Sequence, residues 1–151
     1  MSLNGDKPRN ILVIGVGNPM RSDDGVGPYV VECIEARRLK GVKVRVTQQL
    51  HVEDLESMLD FEKVILVDAS VAGQPIDIRQ VKGTKDLTVS SSHHLSPAMY
   101  VSLAQSIYKK DLPLQLCSVR GDSFEVGDKI SPHVLACAKE AVELICSLIE
   151  S

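Results

Sequence analysis

The stretch Ile11-Leu12-Val13-Ile14-Gly15-Val16-Gly17-Asn18-Pro19-Met20-Arg21-Ser22-Asp23-Asp24-Gly25-Val26-Gly27 decides the fold. Its first four residues are apolar and mostly β-branched, the mark of a strand buried on both faces. Gly15 and Gly17 let the chain leave that strand tightly, and Asn18-Pro19 cannot prolong it. Two adjacent carboxylates, Asp23 and Asp24, follow, and Gly25-Val26-Gly27 then leads into a helical pattern. This order places carboxylates at the mouth of an α/β sheet, outside the carboxyl ends of its strands, where ligands usually bind.

Outward from this stretch, strands alternate with helices. Apolar residues at Val30, Val31, Ile34 and Ala36 predict an amphipathic helix over 28–38. Residues 42–47 alternate as a second strand, with Lys43 and Arg45 on its wetter face, and 52–59 read as a short acidic helix. Residues 63–67 form a continuous apolar strand with Asp68 directly at its carboxyl end, and 76–81 alternate as a strand suited to a sheet edge. Residues 82–92 are without period and rich in Ser and Thr, and they lead through His93-His94 to a helix over 96–108 with an early Pro97. A last strand is predicted over 112–119, with Pro113 confined to its start. After a loop over 120–129, Ser131 is expected to cap a final helix that reaches about residue 149. The pattern predicts a single three-layer α/β domain over 10–151, with a mostly parallel, twisted, five-stranded sheet and helices on both faces. Residues 1–9 are expected to be a disordered or expression-derived start.

Composition narrows the function. The chain of 151 residues suits one domain with one buried core. It lacks Trp, so that core must come from Val, Ile, Leu and Ala. A formal net charge of −3 with no Lys/Arg stripe gives no reason to expect nucleic acid or an anionic membrane. No apolar run approaches the roughly 20 residues of a membrane span, and the polar start lacks the apolar core of a signal peptide; a cytoplasmic location is expected. Cys33, Cys117, Cys137 and Cys146 are far apart and form no Cys-x-x-Cys, so they read as buried, reduced thiols.

Gly15-x-Gly17 after a first strand invites a dinucleotide reading. That fingerprint needs a third Gly where Met20 stands, and Asp23 and Asp24 would repel phosphate from the helix start. A metal or acid–base site fits better. If the first and third strands are neighbours, Asp24 and Asp68 meet at their carboxyl ends, and His93 approaches from the loop before a helix. Two carboxylates and an imidazole suit a divalent ion with open positions, or could hold and activate a water. Plainer readings stand beside this one. Asp23 and Asp24 could cap the following helix, and His93 or His94 could be surface residues, as His51 and His133 are taken to be. The tripeptide Arg120-Gly121-Asp122 is read as chance. Asp68 is harder to set aside, because an Asp abutting four apolar residues, Val64 to Val67, must find a partner.

Several segments carry a resemblance: Ile14-Gly15-Val16-Gly17-Asn18-Pro19 with 22–27, Gln49-Leu50, Leu66-Val67-Asp68-Ala69, Ser92-His93, and the late loop 122–127 followed by Ile130-Ser131-Pro132. With them the chain resembles the hydrogenase maturation proteases, endopeptidases that trim the C-terminal extension from a [NiFe]-hydrogenase large-subunit precursor. The resemblance runs from about Asn10 to the end and implies a phosphorylase/hydrolase-like domain. It implies metal contact by Asp24, Asp68 and His93, with Asp24 and Asp68 as the catalytic carboxylates. It also implies no resident cofactor: nickel would arrive in the precursor, although other divalent ions could occupy the site in crystals. The first ligand is Glu in some members and Asp here, and Gln48-Gln49 replaces an Asp-Gly-Gly sequence of others. His93 is preferred to His94 because the family's His follows a short polar residue and precedes x-Leu. Asn18, Asp23, Gln49, Ser123 and Glu125 are expected to contact substrate, and the protein is expected to act as a monomer. The alternatives are a metal-binding maturation chaperone that does not cut the same precursor and, less favoured by the glycine pattern, a nucleotide-dependent enzyme.

Overall fold

The structure, a computed structural model, describes residues 9–85 and 95–150. Five strands form one sheet: β1 (Ile11–Val16), β2 (Val42–Thr47), β3 (Lys63–Ser70), β4 (Ile76–Gln80) and β5 (Leu114–Arg120). Their order is β2-β1-β3-β5-β4. The first four in that order run parallel, and β4 closes one edge antiparallel to β5. The expected α/β architecture is therefore present, with β1 and β3 adjacent and the strand over 76–80 at an edge.

Four helices cover the sheet: α1 (Val26–Ala36), α2 (Leu55–Met58), α3 (Pro97–Tyr108) and α4 (Pro132–Glu150). Alternation along the strands divides the apolar residues into two cores. Ile11, Val13, Ile65, Val67, Cys117 and Val119 face α1 and α4. Leu12, Ile14, Val64, Leu66 and Leu114 face α2 and α3, where Tyr100 is fully buried. Removing side chains of this size from water contributes about 1.5–3 kcal/mol each, which makes the central strands the rigid base of the molecule. Cys117 and Cys146 are buried and Cys33 and Cys137 partly so, all four as free thiols.

Several boundaries differ from the sequence reading. β3 continues three residues past Val67, so Asp68 lies inside the strand, in register with Val16 of β1 and Ser118 of β5. Backbone partners on both sides outweigh the low strand propensity of Asp. Helix α1 begins at Val26, two residues before Pro28, which the first turn tolerates because its N–H groups have no intrahelical acceptor. The helix expected over 52–59 divides into a 3₁₀ turn, Val52–Asp54, and the single turn of α2. Ser96 caps α3, its hydroxyl accepting from the Met99 N–H at 3.3 Å. Residues 86–92 and nearly all of the expected disordered start lie outside the described residues. No helix among the described residues is long and apolar enough to cross a membrane.

Candidate active site

The carboxyl ends of β1 and β3 form the floor of the site, and glycine lets α1 sit on them. A Cβ on Gly27 would lie 2.5 Å from the Val67 carbonyl oxygen and 2.6 Å from that of Val16. A Cβ on Gly17, whose φ is +146°, would lie 1.9 Å from the Asp24 carbonyl oxygen. Only bare backbone allows the first loop to fold this closely over the strand ends.

That folding separates the fates of the two acidic neighbours. Asp24 is half-buried, and its Oδ2 accepts from the Asn18 N–H at 2.7 Å. Asp23 has no exposed surface. Its Oδ2 accepts from the N–H groups of Asp122 and Ser123, at 2.7 and 3.0 Å, and from the Ser131 hydroxyl at 2.8 Å. Its Oδ1 accepts from the Ser131 N–H at 2.6 Å. Burial pushes the Asp23 carboxyl up, but these four donors outweigh it and hold the group below its ordinary value. The sequence readings of these residues are corrected accordingly. Neither aspartate caps α1, whose N-cap position is Gly25 with no side-chain cap. Asp23 has no surface to offer a substrate; it ties the late loop and the start of α4 to the first loop. The Ser131 hydroxyl, at the start of α4, donates to Asp23.

The other expected substrate residues fall into two groups. Ser123 and Glu125 belong to the late loop, which is laced to the first loop by backbone bonds: the Asp23 N–H donates to the Ser123 carbonyl and the Ser22 N–H to the Gly127 carbonyl. The Ser22 hydroxyl donates to the Glu125 carbonyl at 2.8 Å. Asn18 accepts from the Met20 N–H with its side-chain oxygen while its own N–H engages Asp24. Gln49 is exposed and lines a cleft of about 260 Å³ together with Asp24 and Asp68.

Asp68 turns toward that cleft on the α3 face of the sheet, two residues beyond Leu66. Its Oδ1 accepts from the Ala69 N–H at 2.8 Å. Burial pushes its pKa up to about 7, the Ala69 N–H opposes the shift, and the charge of Asp24 adds to it. The sequence reading missed the apolar walls Leu66, Leu95 and Leu116, and it missed Gln48. Leu66 could have been found, since period-two alternation puts it on the same face as Asp68. It also missed Tyr100, whose hydroxyl donates to the His51 carbonyl and fixes the loop that carries Gln48 and Gln49.

His93 and His94 lie outside the described residues. Among the described residues no group of three or more His, Cys, Asp or Glu side chains could hold a metal ion. What the structure brings together is the pair Asp24 and Asp68, over a cleft open to solvent. Two carboxylates can hold a water, exchange protons with it, or give oxygen ligands to a cation that has other ligands of its own.

No protein-family model matches the sequence, and no curated protein matches it. Solved structures do. HybD, a hydrogenase maturating endopeptidase from E. coli, is 24% identical, with 93% of this chain and 92% of that one covered at a TM-score of 0.71. HycI, a [NiFe] hydrogenase maturation protease from Thermococcus kodakarensis, is 20% identical, with 97% and 96% covered and a TM-score of 0.71. A solution structure of an endopeptidase from Escherichia coli is 26% identical, with 90% and 89% covered and a TM-score of 0.68. Over nearly its whole length, the chain has the fold of the hydrogenase maturation endopeptidases.

Proposed function

We propose that this protein belongs to the hydrogenase maturation proteases and is a site-specific endopeptidase that removes the C-terminal extension of a [NiFe]-hydrogenase large-subunit precursor. The observation that carries the reading is the pair Asp24 and Asp68 in one open cleft, Asp68 from within β3 and Asp24 from the loop after β1. The shared fold adds to it.

Peptide hydrolysis adds a water oxygen to the scissile carbonyl carbon, breaks the C–N bond and gives a proton to the leaving amine. An ionised carboxylate can take the proton from water, and a protonated carboxyl can return one. With its pKa near 7, Asp68 is present in both forms at neutral pH. The neighbouring carboxylate of Asp24 favours proton uptake by Asp68 as negative charge gathers in the cleft. Nickel already seated in the precursor is part of the substrate in this account. Asp24, Asp68 and His93 contact it and so aim the scissile bond at the pair.

The test is to incubate the protein with nickel-loaded and nickel-free precursor and follow the precursor's mass. Loss of the extension from the loaded form alone is expected. Equal trimming of both forms overturns the metal-recognition account. Binding without any change in mass overturns the protease and leaves a maturation chaperone.

A further inference from the structure

The cleft does not end at the aspartates. Pro97 and Leu116, which wall it, also wall a second section of about 370 Å³ bounded by Arg79, Gln80, Val81 and Lys82. Those last three continue into a third section of about 680 Å³, whose far side is Val101, Ser102 and Gln105 of α3. Shared walls make the three sections one trough, running from the aspartates along the antiparallel edge strand. On its inner side the trough is bounded by α3, whose Ser102 hydroxyl accepts from the Thr84 N–H and donates to the Thr84 carbonyl, both at 2.7 Å.

We propose that this trough is the seat of the precursor's C-terminal extension, bound as an extended peptide beyond the scissile bond. The proposal deepens the function above and rests on it. Size supports it: β4 has five residues, and at about 3.3 Å per residue an extended chain beside it would span roughly 17 Å. Charge sets the direction. The aspartates make one end acidic, whereas the exposed Arg79 and Lys82 line the next section. Among the described residues, Asp111 is the one acidic residue along the third section. A peptide with its scissile bond over Asp24 and Asp68 therefore runs with its terminal carboxylate away from them, past Arg79 and Lys82. Apolar residues of the extension rest on Val81, Val101 and Leu116. The occupant is a C-terminal segment of mixed apolar and acidic character.

The test pairs a binding measurement with a kinetic one. The isotope-labelled protein is titrated with a synthetic peptide of the extension, taken from the large-subunit precursor of the same source, and amide shifts are mapped. The double variant Arg79→Glu/Lys82→Glu and the single variant Gln105→Trp are then compared with the unaltered protein in precursor trimming. Shifts are expected at residues 79–83 and 101–105, together with a KM increase of about tenfold in the charge-reversed variant, carried by KM rather than kcat. Shifts confined to the exposed Met20 and Val126, or an unchanged KM in a protein that trims normally, overturn the trough and leave the protease intact. Shifts along the trough without any trimming overturn the protease and keep the trough as a peptide-binding site.

Discussion

At the scale of single residues, one carboxyl illustrates how a site can be purchased with stability. Asp68 has a folded-state pKa of about 7 against an ordinary value of 3.8, so the folded protein holds this proton more tightly than the unfolded chain does. The linkage sign follows. Below about pH 4 the group is neutral in both states and costs nothing. From about pH 4 to about pH 7 the unfolded chain ionises it freely while the fold resists, so a penalty grows, and above pH 7 the penalty is complete. Asp68→Asn removes the charge and keeps an oxygen for the Ala69 N–H. That variant is expected to be about 1–3 kcal/mol more stable than the unaltered protein at pH 7.5, the range being discounted for partial exposure, and equally stable near pH 4. Precursor trimming is expected to be lost. Thermal melts at the two pH values check the first outcome and a mass assay the second. A variant that melts no higher at pH 7.5 sinks the buried-charge account, and one that still trims removes Asp68 from the chemistry.

At the scale of elements, the sequence revealed what each segment is but not always what each side chain touches. Strand and helix types were legible because the periods of two and 3.6 are local properties, and the meeting of Asp24 and Asp68 followed once β1 and β3 were taken as neighbours. The role of Asp23 was hidden because its donors, Asp122, Ser123 and Ser131, lie about a hundred residues away and, the Ser131 hydroxyl apart, act through backbone N–H groups that any residue type carries. The length of β3 was hidden for the same reason: the partners that hold Asp68 in the strand belong to β1 and β5. The glycines were legible as turns, yet Gly27 acts by contact between elements. A methyl on Gly27 would meet the backbones of β1 and β3 at once, neither of which can yield locally. Gly27→Ala is therefore expected to lift the start of α1 from the strand ends, costing about 1–3 kcal/mol of stability. Asp24 moves with that element, and a misplacement near 1 Å is expected to slow trimming roughly 100-fold. Melting and single-turnover trimming on the folded variant test this together; an undiminished rate would show that the spacing of α1 from β3 does not set the site.

At the scale of the whole molecule, the question is which partner brings the cation. The described part of the cleft offers two carboxylates, of which Asp68 is half-protonated near pH 7. A divalent ion that binds this pair must first displace that proton. In the proposed function the cation is delivered with ligands of its own and would ionise Asp68 on docking, so the affinity of precursor for protease would couple to the metal and docking would release protons. Order of addition separates the alternatives. Treating the protein alone with a chelator and desalting it is expected to leave trimming of nickel-loaded precursor unchanged, whereas the same treatment of the precursor before nickel is seated is expected to abolish trimming. Calorimetry of loaded precursor with the protein in two buffers of different ionisation enthalpy should register proton release that grows as pH falls from 8 towards 6. A protein inactivated by chelation and restored by added metal would place a resident ion in this cleft, and the division of labour between protease and precursor would have to be redrawn.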